Sequence, residues 1–291
     1  MIELSLALPL FRAKYIGWLA FEGLCRQKGI DFEWELVVAE EVDDEPFLED
    51  AVGLYEARLE KVGSARLVYI PLDEWIPLAK KINILTRECS KTSKIFATCA
   101  ADIFPPPKRL KTQYDIFTKD PTVDWCANAR TIVYDIASER YYLQDLTGEK
   151  VRKKNDGSNR AIRMEIAQHL PHSTKKSSVD GWVWQSSVQY VESKKKKFNS
   201  HLDTSDNWKY GLNVHGLNNL SLNRGARFND DFIKRSSRLR RCPIDINKTI
   251  PKDIMDRLRE CKNYVSLHRK GLPKVGKTRD PKAKGSKKAV K

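Results

Sequence analysis

The stretch that most constrains this chain runs from Lys94 to Leu110. An apolar run, Ile95 to Ala101, stops at Asp102, and Pro105, Pro106 and Pro107 follow at once. A short apolar run with such an end has the length of a strand buried on both faces. Proline has no N–H to give a ladder, yet it suits the first turn of the helix predicted from Leu110, Tyr114 and Phe117. Asp102 therefore falls at the carboxyl end of a buried strand, the edge where open α/β sheets bind ligands. The competing reading is a plain turn or helix-capping aspartate.

The residues before this stretch set up the same edge. Glu3 to Leu8 is a strand ending at Pro9, Ala13 to Gln27 a helix closed by Gly29, and Phe32 to Ala39 a second strand that stops at Glu40-Glu41. A strand, helix, strand unit implies parallel strands and a right-handed crossover. Leu10 to Arg12 and Glu40-Glu41 then share an edge with Asp102. Arg66 to Ile70 is a third strand, and Pro77 to Cys89 a helix with Leu78, Ile82 and Leu85 on one face. Val123 to Ala127 and Thr131 to Ile136 are further strands, with Arg140 to Leu143 pairing back as a hairpin. Beyond Leu146 the pattern predicts a helix over 159–170, another from Val179 through Val191, and a last one over Pro251 to Leu267. Strands alternating with helices indicate a mainly parallel α/β sheet.

Size and composition bound the rest. The 291 residues suffice for one substantial core with appendages. Cys25, Cys89, Cys99, Cys126, Cys242 and Cys261 show no C-x-x-C spacing and read as reduced core thiols, which points to a cytoplasmic protein. The first residues lack a basic region, and their apolar run is too short for a signal peptide or a transmembrane segment. The net charge is +15, but residues 269–291 hold ten Lys/Arg and one Asp, so most of the excess is a tail suited to a polyanion.

Three features in order resemble family 2 glycosyltransferases. The first is Leu8-Pro9-Leu10-Phe11-Arg12, followed by a helix and the strand ending in Ala39-Glu40-Glu41. The second is the segment from Thr98 through Asp102 and the three prolines to Arg109-Leu110, similar to the family's aspartate-rich turn. The third is Val179-Asp180-Gly181-Trp182, similar to the family's Glu-Asp motif, with the loop-rich stretch from His215 to Ser221 after it. Cys99, Ala100 and Ala101 stand where the family usually carries further aspartates, and an inactive relative is one reading of that departure.

The resemblance implies a GT-A type, Rossmann-like fold with a mainly parallel sheet over residues 1–225, a helical extension over 226–268 and the basic tail over 269–291. It implies a nucleotide-sugar donor, expected to be a UDP-sugar, held by Pro9, Leu10, Phe11, Arg12, Glu40, Glu41 and Ala101, with Lys81 as a further candidate for the diphosphate. A divalent metal, Mn²⁺ or Mg²⁺, would be held by Asp102 and His215, and Asp180 would be the catalytic base. For Asp180 the plain alternative is a helix cap, for His215 a loop histidine, and for Lys81 an exposed helical lysine. The ensemble also looks like phage-encoded members, some of which glycosylate hydroxymethylated bases in DNA, which would place the protein in a host cytoplasm. DNA is then the expected partner, with Lys194, Lys195, Lys196, Lys197, Arg224 and Arg227 on its backbone and Trp182 and Trp184 as stacking surfaces. A polysaccharide or protein acceptor, and a catalytically degenerate nucleic-acid-binding protein, are the competing functions.

Overall fold

The computed structural model describes residues 1–11, 13–41, 46–136, 138–147, 159–173, 179–215 and 239–268, with side chains omitted at 64–65, 215 and 262–268. Arg12, Arg224, Arg227 and the 269–291 tail lie outside the described residues.

The chain folds around a seven-stranded sheet ordered β10-β6-β9-β4-β1-β2-β3. Its strands are β1 (Leu4–Leu10), β2 (Trp34–Glu41), β3 (Ser64–Leu72), β4 (Ile95–Thr98), β6 (Trp125–Asn128), β9 (Ala161–Arg163) and β10 (Ser200–Asp203). β4, β1, β2 and β3 run parallel. β9 runs antiparallel between β4 and β6, which restores the parallel direction for β6 and β10. The carboxyl ends of all strands but β9 therefore lie on one edge.

Both faces of this sheet are covered. One carries α2 (Val52–Glu60), α4 (Arg109–Lys119) and part of α1 (Trp18–Leu24), packing Phe21, Leu59, Leu110 and Phe117 against Leu4, Leu6, Leu36 and Val38. The other carries α3 (Leu78–Glu88), α5 (Met164–Gln168) and α6 (Val179–Ser193), packing Ile82, Leu85, Ile166 and Val183 against Ala7, Val37, Phe96 and Trp125. This double cover explains the near-continuous apolar runs in β1 and β2.

A second sheet, ordered β12-β8-β7-β11-β5, joins β5 (Ile103–Phe104), β7 (Arg130–Asp135), β8 (Arg140–Asp145), β11 (Leu212–His215) and β12 (Leu239–Arg241). Its inner face shares a third core with Ile16, Trp18 and Leu19 and with Ile254, Met255 and Leu258 of α7 (Lys252–His268). No helix among the described residues is long and apolar enough to cross a membrane.

Several sequence expectations need correction. β1 does not stop at Pro9. Ala7 faces β4, its carbonyl accepting from the Cys99 N–H, and Pro9 two residues on faces the same way, past the end of β4, where no ladder donor is missed. The helix expected over Ala13 to Gln27 is confined to Trp18–Leu24. The strand expected over Ile95 to Ala101 ends at Thr98. The helix expected over 159–170 is instead β9 followed by the single turn of α5, because Ala161 and Ile162 fill the gap between β4 and β6. Trp182 is buried in the core and offers no stacking surface, and Trp184, half-buried, sets its ring edge-on against Trp125 and Phe198.

Candidate active site

The turn after β4 is fixed by residues far from it in sequence. The three prolines donate no hydrogen bonds, and the turn is held through its carbonyls: Gln27 donates to Pro106 O at 2.9 Å and the Lys28 N–H to Pro107 O at 2.6 Å. A Cβ on Gly23 would lie 2.4 Å from Pro105 Cδ, and one on Gly211 would lie 2.7 Å from Pro106 Cδ. Only glycine admits the prolines at both places.

Asp102, half-buried, sits between this turn and β4. Its carbonyl accepts the Val214 N–H at 2.7 Å, which brings β11, and with it the backbone of His215, beside Asp102. The backbones of Asp102 and His215, the two expected metal ligands, thus run close together where β5 and β11 pair, and His215 is the register partner of Asp135 on β7. Thr98, the last residue of β4, is clamped from both sides. Its N–H donates to Arg160 O at 3.0 Å, and its carbonyl accepts from the guanidinium of the buried Arg109. Burial raises the neighbouring Cys99 thiol, against the opposing charge of Arg109.

Across the same edge lie the ends of β1 and β2. Glu40 is buried and receives the N–H groups of Phe47 and Leu48 at 2.8 and 3.0 Å, with the Tyr69 hydroxyl at 3.2 Å. Burial, then the charge of Glu40, pushes the Tyr69 phenol up. Glu41 points to the other face and forms an ion pair with Lys81, whose ammonium also donates to Leu10 O at 2.6 Å and lies 5.3 Å from the centre of the Phe11 ring. Lys81 is therefore not the exposed helical lysine its sequence position suggests. It is 2% exposed and ties the end of β1 to the end of β2. Breaking such a buried pair costs about 3–5 kcal/mol, so Lys81 is a brace for Leu10, Phe11 and Glu41. Ala101 is half-buried beside Asp102.

Asp180 is the second residue of α6 and is exposed at 57%, while its partner Arg160 is 3% exposed; Arg160 Nη1 donates to Asp180 Oδ1 at 2.9 Å. The guanidinium stands 5.7 Å from the centre of the Trp125 ring, and Trp125 packs edge-on against Trp184 of α6. Arg160 thus touches both halves of the site, Thr98 through its backbone and Asp180 through its side chain. Sequence reasoning missed it, since an arginine next to Asn159 gives no sign of burial. Arg109 lay inside the quoted motif without a role, and its burial was equally hidden.

Lys194, Lys195, Lys196 and Lys197 are exposed, but they lie elsewhere. They follow the carboxyl end of α6, about 21 Å along the helix from Asp180. They also precede β10, a strand parallel to β6, so they occupy the edge opposite Asp102.

A divalent cation is tested by its donor set. Among the described residues no three His, Cys, Asp or Glu side chains gather into a metal cluster. Glu41 is bound to Lys81 and Asp180 to Arg160, and Asp102 is the carboxylate of the β4 turn. A hard cation held by one carboxylate and the phosphates of its substrate is a known minimal form, and the residues present fit that form.

No protein-family model and no curated protein sequence matches the chain. Solved structures do. S. aureus TarS in complex with UDP-GlcNAc superposes with a TM-score of 0.53 at 11% identity, over 75% of this chain and 60% of that one. The mannosyltransferase PcManGT from Pyrobaculum calidifontis, in complex with GDP-Man and Mn²⁺, gives 0.51 at 12% identity, over 92% and 70%. Against the longer TarS chain, this chain spans 37% of its length. The expected architecture, a mixed α/β fold with a mainly parallel central sheet, is therefore present, and it is the fold of these glycosyltransferases.

Proposed function

We propose that the protein is a glycosyltransferase that moves a sugar from a nucleoside-diphosphate donor to an acceptor hydroxyl. The observation that carries this is the joint held by Arg160: one residue links the β4 end that leads to Asp102 with the carboxylate of Asp180, on the edge where β1 and β2 end at Leu10 and Glu41. The donor's nucleotide lies against Leu10, Phe11 and Ala101, with Glu40 at its margin, Arg12 as a further candidate from the sequence, and Lys81 holding Glu41 in place. Asp180 takes the proton of the acceptor hydroxyl as that oxygen bonds to the anomeric carbon and the carbon–diphosphate bond breaks. A divalent cation held by Asp102, His215 and the donor phosphates would supply charge for the departing diphosphate. The fold shared with a UDP-GlcNAc complex and a GDP-Man complex supports the donor class, and UDP is the nucleotide we favour.

For the acceptor we favour a hydroxymethylated base in DNA, as in the phage-encoded members that the sequence resembles. The net charge of +15 and the basic 269–291 segment favour a polyanion. The base would be taken unpaired or extruded, with Arg224 and Arg227 as candidates for backbone contacts. Lys194 to Lys197, on the far edge, would hold only DNA that extends around the domain. The test is incubation with a panel of nucleotide sugars and hydroxymethylated DNA, followed by digestion and mass measurement of the nucleosides. A sugar added to one nucleoside is expected. Donor hydrolysis with unmodified DNA, and transfer to a glycan, would instead establish a different acceptor.

A further inference from the structure

A cavity of about 650 Å³ opens at the tip of the β7–β8 hairpin, away from the ends of the main-sheet strands. Arg140, Tyr141, Tyr142, Arg241, Cys242 and Asn247 form much of its wall, together with the carboxylates of Glu139 and Asp245. Its volume is within the range of small-ligand sites. Its place in the second sheet connects it to the candidate active site. Asp102 bonds Val214, Val214 is the register partner of Tyr134, and Tyr134 is the partner of Tyr141, whose carbonyl accepts the Cys242 N–H. The cavity wall and Asp102 thus lie on one row across the sheet. Three strand spacings put Tyr141 about 14 Å from Asp102.

Two arginines and two carboxylates line the cavity, and the feature that suits a phosphate-bearing chain is Arg241. Arg240 and Arg241 are neighbours on β12, the edge strand, but they are used differently. Arg240 is held by Asp145 at 2.9 Å, whereas Arg241, exposed and lining the cavity, makes no ion pair among the described residues. Asp245, the carboxylate nearest in sequence, receives the Asn247 N–H at 3.1 Å as the cap of its own turn. Tyr141 is half-buried, its ring stacked on Tyr134 at 4.8 Å between centroids, and gives the cavity a rigid aromatic wall. A guanidinium for a phosphate beside an aromatic surface is the pairing that single-stranded nucleic acid uses.

We propose that this cavity is an anchoring site for the acceptor strand, binding a nucleotide other than the one that reacts. The proposal rests on the nucleic-acid reading of the acceptor above. It adds a place where the strand is held that takes no part in the chemistry. The structure offers a native reporter, because Cys242 lies half-buried in the cavity wall while Cys25, also half-buried, lies after α1 and outside it.

The experiment uses the full chain without donor. A fluorescent single-stranded 12-mer is titrated by anisotropy at several salt concentrations, and alkylation of Cys242 and Cys25 by N-ethylmaleimide is followed by peptide mass mapping. Bound oligonucleotide should slow alkylation of Cys242 at least fivefold and leave Cys25 unchanged. Arg241→Ala should weaken binding several-fold and flatten the slope of log K against log salt by about 0.7, one single-strand phosphate. Hydrolysis of nucleotide sugars should be unaffected in that variant. Equal protection of both cysteines, an unchanged slope in Arg241→Ala, or protection of Cys242 by a neutral dextran but not by the oligonucleotide would each overturn the proposal. Failure of the wild-type protein to cleave any nucleotide sugar would sink the transferase reading alone, since the binding and alkylation measurements need no donor.

Discussion

Replacing Arg160 with Met separates positioning from chemistry. The substitution keeps the backbone carbonyl that holds Thr98, so the β4 end is retained, and it removes the guanidinium that holds Asp180. A hydrogen bond to a charged group contributes about 1.5–3 kcal/mol, and because Asp180 is more than half exposed the lower end applies. At about 1.4 kcal/mol per factor of ten, kcat should fall roughly tenfold. Asp180→Asn, which removes the base itself, should lower kcat by roughly 10²–10⁴ with donor binding retained. Folding stability should change little, since the guanidinium is buried with Nε unbonded among the described residues and Met fills similar space. The assay is a double-mutant cycle on initial transfer rates, with KM for the donor measured in each variant. If Arg160 acts through Asp180, Arg160→Met should cost nothing further in the Asp180→Asn background. Two additive losses would refute the reasoning, as would a rise in donor KM that accounts for the whole effect of Arg160→Met.

Three further outcomes are expected. Asp102→Asn should weaken donor binding measured with Mn²⁺ and recover part of it at higher Mn²⁺, and calorimetry of the wild type should show little Mn²⁺ binding until the nucleotide is added; tight binding of Mn²⁺ alone would contradict a one-carboxylate site. Lys195 closes α6 at φ 58°, with its N–H on Glu192 O at 2.9 Å and the Lys196 N–H on Val191 O at 3.3 Å, so Lys195→Gly should stabilise the fold by about 1 kcal/mol in urea melts, and a lower midpoint would refute it. The hydrogen bonds from Arg58, reinforced by Arg26, hold the Glu22 carboxyl below its ordinary 4.5. A depressed carboxyl stabilises the fold above its unfolded value and loses that contribution as pH falls through its folded value, so the stability gap between wild type and Glu22→Gln should narrow as pH falls below 4.5, and a gap that does not narrow would rule the linkage out.

The edge of the sheet was legible because its signals are local. Apolar runs that stop at Glu40-Glu41 and at Asp102, and prolines that forbid continuation, mark strand ends without any knowledge of the partner strands. The hairpin of β7 and β8 and the helices α3 and α4 were legible for the same reason. β9 was not, because three residues show no periodicity and its antiparallel place between β4 and β6 is decided by the gap it fills. β5, β11 and β12 are two to four residues long, and they pair with strands distant in sequence. In the candidate site, Asp102 and Asp180 stand out in the sequence as carboxylates at a strand end and a helix start. Lys81 reads as a candidate for the diphosphate or as an exposed helical lysine, and nothing in the sequence marks it or Arg160 as buried. A charge looks solvated in sequence unless its partner is adjacent, and Glu41 lies forty residues from Lys81 while Asp180 lies twenty from Arg160.

The third core has a consequence for how the chain is made. Ile16, Trp18 and Leu19 leave the ribosome early, but Ile250, Ile254, Met255 and Leu258, which cover them, come more than two hundred residues later. At roughly 5–20 residues per second that interval is on the order of ten to fifty seconds. During synthesis β1 to β4 can assemble with α2 to α4, while one side of α1 stays open to water or to a chaperone. A ribosome stalled before residue 246 would release a chain with its main sheet formed and an apolar face still bare, and the cell would meet it as a substrate for quality control.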